Sequence, residues 1–211
     1  MHLFASSPFL RRAGTAAAVL ALGTIAFAPA ASASADKKAT IDTYSNFTGN
    51  NIISAFGCPN STVYGTTVTI PAKKHHITKA SFPMNDGGAT GSMQARGEIY
   101  AWDGSKATGT AIAETAPQTI DLQNADWNLI SFKFKGKKVK PGQQYVIFAS
   151  IDKEFEQCTN YAVAWGGADG SAYPDGFFVY QNNGGDESQW TGGAWSTIPS
   201  LAAAMLVYMG K

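Results

Sequence analysis

The chain has 211 residues and carries 16 Lys+Arg against 15 Asp+Glu. A balance this close gives no overall electrostatic pull toward nucleic acid, while 45% apolar residues are enough to build a folded core. Two cysteines without C-x-x-C spacing give no support to a zinc site or to dithiol redox chemistry.

From the N-terminus, Arg11 and Arg12 precede an apolar run from Ala16 to Phe27. Pro29 breaks that run, and Ala33-Ser34-Ala35 supplies an A-x-A cleavage signature. The run is shorter than the ~20 apolar residues that a membrane span needs. Residues 1–35 are therefore predicted to be a cleaved signal peptide of bacterial, alanine-rich type. The residues flanking the arginine pair do not fit the twin-arginine route, so general secretion is expected. The mature chain, residues 36–211, is then extracellular and has no membrane anchor, with 14 basic and 15 acidic side chains. Residues 36–151 carry a net +4 and residues 152–211 a net −5, an asymmetry that ordinary solvating loops account for as simply as a dipolar surface does.

The mature chain reads as β throughout. Clusters of Gly, Asn, Thr and Ser punctuate short runs of β-branched and aromatic residues, and no stretch has helical periodicity. Strands are predicted near 39–44, 52–56, 62–70, 77–83, 93–102, 111–114, 127–134, 144–151, 161–165, 177–180 and 203–209. In the seventh, Ile130, Phe132 and Phe134 alternate with Ser131, Lys133 and Lys135, the pattern of a strand with one dry and one wet face. In the eighth, residues 145–149 are apolar on both faces, which predicts a mid-sheet strand covered on both sides. Lys140-Pro141-Gly142-Gln143 has the residue order of a type II turn, with a positive φ required at the glycine. Asp103-Gly104, Asp169-Gly170 and Asp175-Gly176 mark further turns. The apolar run 201–209 is too short to span a membrane and is expected to be a closing strand buried on both faces. Cys58 and Cys158 both have loop-like flanks. An even cysteine count in an exported chain predicts a disulfide between them, with two free thiols as the alternative. Some ten short strands with regular turn spacing and no linker predict one all-β domain, an antiparallel β-sandwich over residues 36–211.

Several motifs carry a resemblance. Glu98-Ile99-Tyr100-Ala101-Trp102-Asp103-Gly104 ends a strand at an Asp-Gly turn, Trp127 opens a strand containing Phe132 and Phe134, and Pro141-Gly142-Gln143-Gln144-Tyr145 leads into the next. With Tyr173-Pro174-Asp175-Gly176 and Trp195, this resembles the jelly-roll β-sandwich domains of bacterial secreted and cell-surface proteins that look like carbohydrate-binding modules. The resemblance implies a jelly-roll-like fold. Because it rests on turn and core residues, it transfers no binding residues.

Function has to be sought residue by residue. There is no G-x-S-x-G elbow, and the mature histidines are the adjacent pair His75 and His76, which point to opposite faces if extended and read as a solvated turn. Glu98 shares a strand face with Gln94, Arg96, Tyr100 and Trp102. That face is expected to be either a solvent face with a Glu98–Arg96 ion pair or a shallow binding surface, and a second carboxylate across a cleft would turn it toward glycoside hydrolysis. Trp102, Trp127 and Trp165 lie on predicted strands and are assigned to the core. Trp190 and Trp195 flank Thr191-Gly192-Gly193 beside Asn183, Asp186 and Gln189, in a loop with the aromatic, amide and carboxylate groups that sugars need. For Trp195 a plug at the end of the sandwich is the favoured reading, while for Trp190 the two readings balance. Asp169, Asp175, Asp186 and Glu187 are calcium candidates, without the Asp-x-Asp-x-Asp spacing; no other cofactor is indicated. Lys133, Lys135, Lys137, Lys138 and Lys140 read as charges that protect a sheet edge, with acidic wall polymers as possible partners. The expectation is a secreted, non-catalytic module binding a glycan or cell-wall polymer through Trp190, Trp195, Gln189, Asp186 and Asn183. A structural or adhesive surface protein without a small ligand is the alternative, and a small glycoside hydrolase ranks third.

Overall fold

The computed structural model describes residues 38–211 apart from 60, 88–90, 123–124 and 159–160. The expected signal peptide lies outside the described residues. Lys37–Lys211 form one compact unit.

The strands in chain order are β1 (Ile41–Asp42), β2 (Ile52–Gly57), β3 (Val63–Thr69), β4 (His76–Asn85), β5 (Met93–Trp102), β6 (Ala107–Glu114) and β7 (Gln118–Ile120). They continue as β8 (Asn128–Lys138), β9 (Gln144–Ser150), β10 (Ala162–Asp169), β11 (Phe178–Gln181), β12 (Ser196–Ile198), β13 (Leu201–Ala203) and β14 (Leu206–Gly210). Their pairings are antiparallel and build two sheets. The first runs β1-β14-β4-β10-β13, with β2 on β10 and β8 on β4. The second runs β12-β11-β3-β9-β5-β6, with β7 on β5. The all-β sandwich expected from the sequence is what forms.

The core between the sheets is aromatic. Trp165 stacks on Phe82 at 4.6 Å and meets Phe56 and Tyr64 edge-on. Buried side chains of this size each stabilise the fold by about 1.5–3 kcal/mol or more. The alternation in β8 holds, with Phe132 and Phe134 buried and Lys133 and Lys135 exposed. β9 lies between β3 and β5 and is covered on both faces. Tyr145, Ile147 and Ala149 face the main core, while Val146 and Phe148 face a second apolar cluster. Gly142 has a φ of +75°, as the turn chemistry requires. Cys58 and Cys158 are joined in a disulfide with a Cα–Cα distance of 6.0 Å.

Three expectations need correction. The 201–209 run is two strands, because β13 pairs with β10 and β14 with β4. Thr43 pins the break between them, its hydroxyl donating to the Ala203 carbonyl and accepting from the Met205 amide. β14 is also buried on one face only, through Val207 and Met209. Trp127 precedes β8, and its half-buried ring sits edge-on to Phe47 at 4.7 Å. β7 and β12 have too few residues to show a period in the sequence.

Candidate functional site

The second apolar cluster lies on the outer face of the second sheet and shapes the candidate site. Phe148, Val146, Val63, Val179 and Trp102 form its floor. Gly65 sits opposite Phe148 across the β3–β9 ladder, and a Cβ there would fall 2.4 Å from Phe148 Cβ. The missing side chain therefore leaves room for the Phe148 ring. Two irregular segments cover the floor: a 3-10 turn at Asp152–Gln157, and the loop from Asn182 to Trp195 with its short helix Gln189–Gly192.

Trp190 and Trp195 are the pegs of that cover. Trp190 meets Phe148 edge-on at 5.1 Å and Tyr100 at 5.9 Å. Trp195 meets Phe148 at 5.1 Å and Trp102 at 5.7 Å. Only 2% of Trp190 and 5% of Trp195 is exposed, so neither ring offers a face on which a sugar could stack. The expected stacking platforms are thus structural: each indole also has its N–H satisfied internally. Trp190 Nε1 donates to Asp152 Oδ2 at 2.7 Å, and Trp195 Nε1 donates to the Trp190 carbonyl at 2.8 Å. Asn183 Nδ2 donates to the same Asp152 oxygen at 2.5 Å, and Asn183 Oδ1 accepts from the Thr62 hydroxyl. Sequence reasoning gives Asp152 no role, and the signal available there is an acid two residues past the end of the two-sided strand β9. Burial pushes its carboxyl above the usual carboxylate range, and the bonds from Asn183 and Trp190 work against that shift.

The remaining nominated residues lie above the pegs. Asn183, Asp186 and Gln189 line a shallow depression of about 440 Å³ together with Asn182, Ser196 and the half-buried Tyr180. Asp186 Oδ1 accepts from the Ser188 amide and hydroxyl, and Oδ2 accepts from Gln189 Nε2. The Ser188 and Gln189 side-chain bonds and the Ser188 amide hold this carboxyl below its ordinary value, so it stays charged. Asn182, Asp186, Gln189 and Ser196 are all exposed. The structure thus brings the five nominated residues together but separates their roles, with two tryptophans and Asn183 holding the loop and Asp186 and Gln189 facing solvent.

The Glu98 face is also corrected. Glu98 is fully buried, and neither carboxylate oxygen has a hydrogen-bond partner among the described residues. Arg96 does not pair with it. Its Nε donates to Glu154 at 2.6 Å and its Nη1 to Glu114 at 2.7 Å, while Lys153 pairs with Glu114 at 2.7 Å. Glu154 is itself buried. Burial first, then the neighbouring Glu114 charge, pushes the Glu98 carboxyl from 4.5 up to about 8, so it is protonated and neutral at pH 7. With none of its surface exposed, Glu98 is out of a substrate's reach in this state.

His75 and His76 lie at the start of β4, and the His76 ring Nδ1 is 2.9 Å from the Lys211 carbonyl oxygen. Among the calcium candidates, Asp169 accepts from the Ser171 amide, closing its own turn as Asp186 does. Among the described residues no three His, Cys, Asp or Glu side chains are grouped to hold a metal ion. Among the same residues no helix is long and apolar enough to cross a membrane.

No family model matches the chain, and no curated protein sequence matches it. Among solved structures, it is similar to the cysteine protease and lectin-like domains of Cwp84, a surface layer associated protein of Clostridium difficile. The identity is 7% and the TM-score 0.39, over 72% of this chain and 33% of that one. This chain therefore spans about a third of the length of that protein's chain.

Proposed function

We propose that residues 36–211 are a secreted, non-catalytic binding module whose ligand is a glycan, held in the depression over the Asn182–Trp195 loop. The observation that supports this is the lining: exposed amides at Asn182 and Gln189, a charged carboxylate at Asp186 and a hydroxyl at Ser196, around about 440 Å³. Sugars present closely spaced hydroxyls that both donate and accept, and this set supplies both complements. The buried Trp190 and Trp195 hold the loop so that these groups need not be ordered on binding, which lowers the entropic cost of association. The disulfide fits an oxidising, extracytoplasmic setting.

The test is co-sedimentation of the secreted protein with insoluble polysaccharides and purified cell wall, beside an Asn182→Ala/Asp186→Ala variant. Retention of the parent, weakened about tenfold or more in the variant, is expected (tenfold being ~1.4 kcal/mol). Trp190→Ala is not a usable variant here, because it would collapse the loop whether or not sugar binds. No retention of the parent on any polymer would overturn the proposal and leave the structural or adhesive reading.

A further inference from the structure

At the opposite edge of the second sheet, a groove of about 710 Å³ runs between the β6–β7 connection and β8. One wall carries Glu114 and Gln118, and the other carries Ser131, Lys133, Lys135 and Lys137. We infer that this groove is a second binding site, for a linear phosphate-bearing polymer.

The charge pattern is the first support. Lys133, Lys135 and Lys137 are exposed and make no ion pair among the described residues, while Glu114 is already neutralised by Arg96 and Lys153. A concave surface with three uncompensated cations stands out in a mature chain whose net charge is −1. Lys79 lies directly across from Lys133 on β4, a like-charge pairing that weakens a sheet unless an anion intervenes. Its Nζ is drawn 3.9 Å from the Tyr208 ring centroid.

Backbone geometry is the second. Protection against edge pairing needs only that lysines sit on an exposed strand. Here the strand also breaks register between Ile77 and Lys79. Lys135 and Gly136 both take left-handed φ values, +50° and +67°. For lysine that conformation carries a steric cost. A bulge re-aims side chains, and this one interrupts the edge while keeping Lys133, Lys135 and Lys137 along one groove. The cations are all lysines, compact point charges that can hold phosphate without the fixed fork geometry of arginine. Lys133 and Lys135, on the extended part of the strand, are about 7 Å apart and Lys137 continues the row past the bulge, so the row suits a polymer with repeating charges better than a single ion.

The test is binding of the secreted protein to long-chain inorganic polyphosphate, with polyglutamate and neutral dextran alongside. It compares the parent, Lys133→Gln/Lys135→Gln/Lys137→Gln, and a control that loses the same charge elsewhere, Lys38→Gln/Lys73→Gln/Lys211→Gln. The six lysines are exposed, and thermal melts check that each variant folds. The groove variant should lose polyphosphate binding tenfold or more, and its salt dependence, d log K/d log[salt], should shallow by about 2, from ~0.7 per phosphate contact over three contacts. The control should bind like the parent, and dextran should not bind. Absence of polyphosphate binding, equal weakening in the control, or polyglutamate binding as tight as polyphosphate would each overturn the inference. Failure of the glycan proposal would show instead in the Asn182/Asp186 variant, at the other end of the sheet.

Discussion

Glu98 should make this protein less stable as pH rises from 5 to 9, and Glu98→Gln should abolish that loss. In the folded state the carboxyl is protonated up to about 8, whereas the unfolded chain releases the proton near 4.5. Between those values the native state holds a proton that the unfolded state has lost, so each rise in pH favours unfolding. The contribution is fully present below 4.5 and gone above about 8. The interval corresponds to a ceiling of roughly 5 kcal/mol at 1.36 kcal/mol per pKa unit. At ~2–4 °C per kcal/mol for a domain of this size, the parent should lose on the order of 10 °C of melting temperature across the window. Glutamine keeps the shape and stays neutral throughout, so its melting curve should be flatter and cross the parent's as pH rises. Scanning calorimetry at half-unit pH steps from 4 to 9 measures both. Other titrating groups are the same in the two proteins, and the difference curve isolates Glu98. Parallel curves for parent and variant would refute the reasoning, since they would mean that Glu98 is already ionised or solvated in the folded state.

Other predictions follow from single contacts. The Cys58–Cys158 bond closes a loop of 100 residues, so its reduction, or Cys58→Ser/Cys158→Ser, should cost up to about 4–5 kcal/mol, read as a drop in melting temperature with reductant. Trp190→Phe keeps an aromatic ring but leaves Asp152 without its indole donor. It should cost about 1–3 kcal/mol in urea unfolding, and Trp190→Ala about 3–5, whereas near-parent stability in both would mean that the loop is not pegged as described. Gly65→Ala places a methyl 2.4 Å from Phe148 Cβ and 2.6 Å from the Ile147 carbonyl oxygen. It should destabilise by about 1–3 kcal/mol and alter the near-UV circular dichroism of the tryptophans seated on Phe148.

Much of the sandwich could be read from local chemistry. Alternation in 130–135 set the dry and wet faces of β8, two-sided apolarity in 145–149 placed β9 mid-sheet, and Pro141-Gly142 fixed its turn, because side-chain period and turn φ are properties of neighbouring residues. The disulfide followed from a cysteine count and the expectation that the chain is exported. Local pattern also put Glu98 on the same strand face as Arg96, Tyr100 and Trp102. It could not say what covers that face. Only the tertiary structure folds Asp152–Gln157 and the Asn182–Trp195 loop back over it, and this turns an apparent solvent acid into a buried neutral one. The same covering decides the fate of Trp190, whose polar sequence neighbours point to exposure but whose indole is claimed by Asp152, 38 residues away. Likewise the split of the C-terminal run depends on β10 and β4 sitting side by side, a fact about strands far from residues 201–209. Where a strand is long enough to show a period, as in β8 and β9, the sequence by itself determined which way its residues face. Which faces become interior depended on long-range contacts, because burial is a property of what packs against a residue and not of the residue.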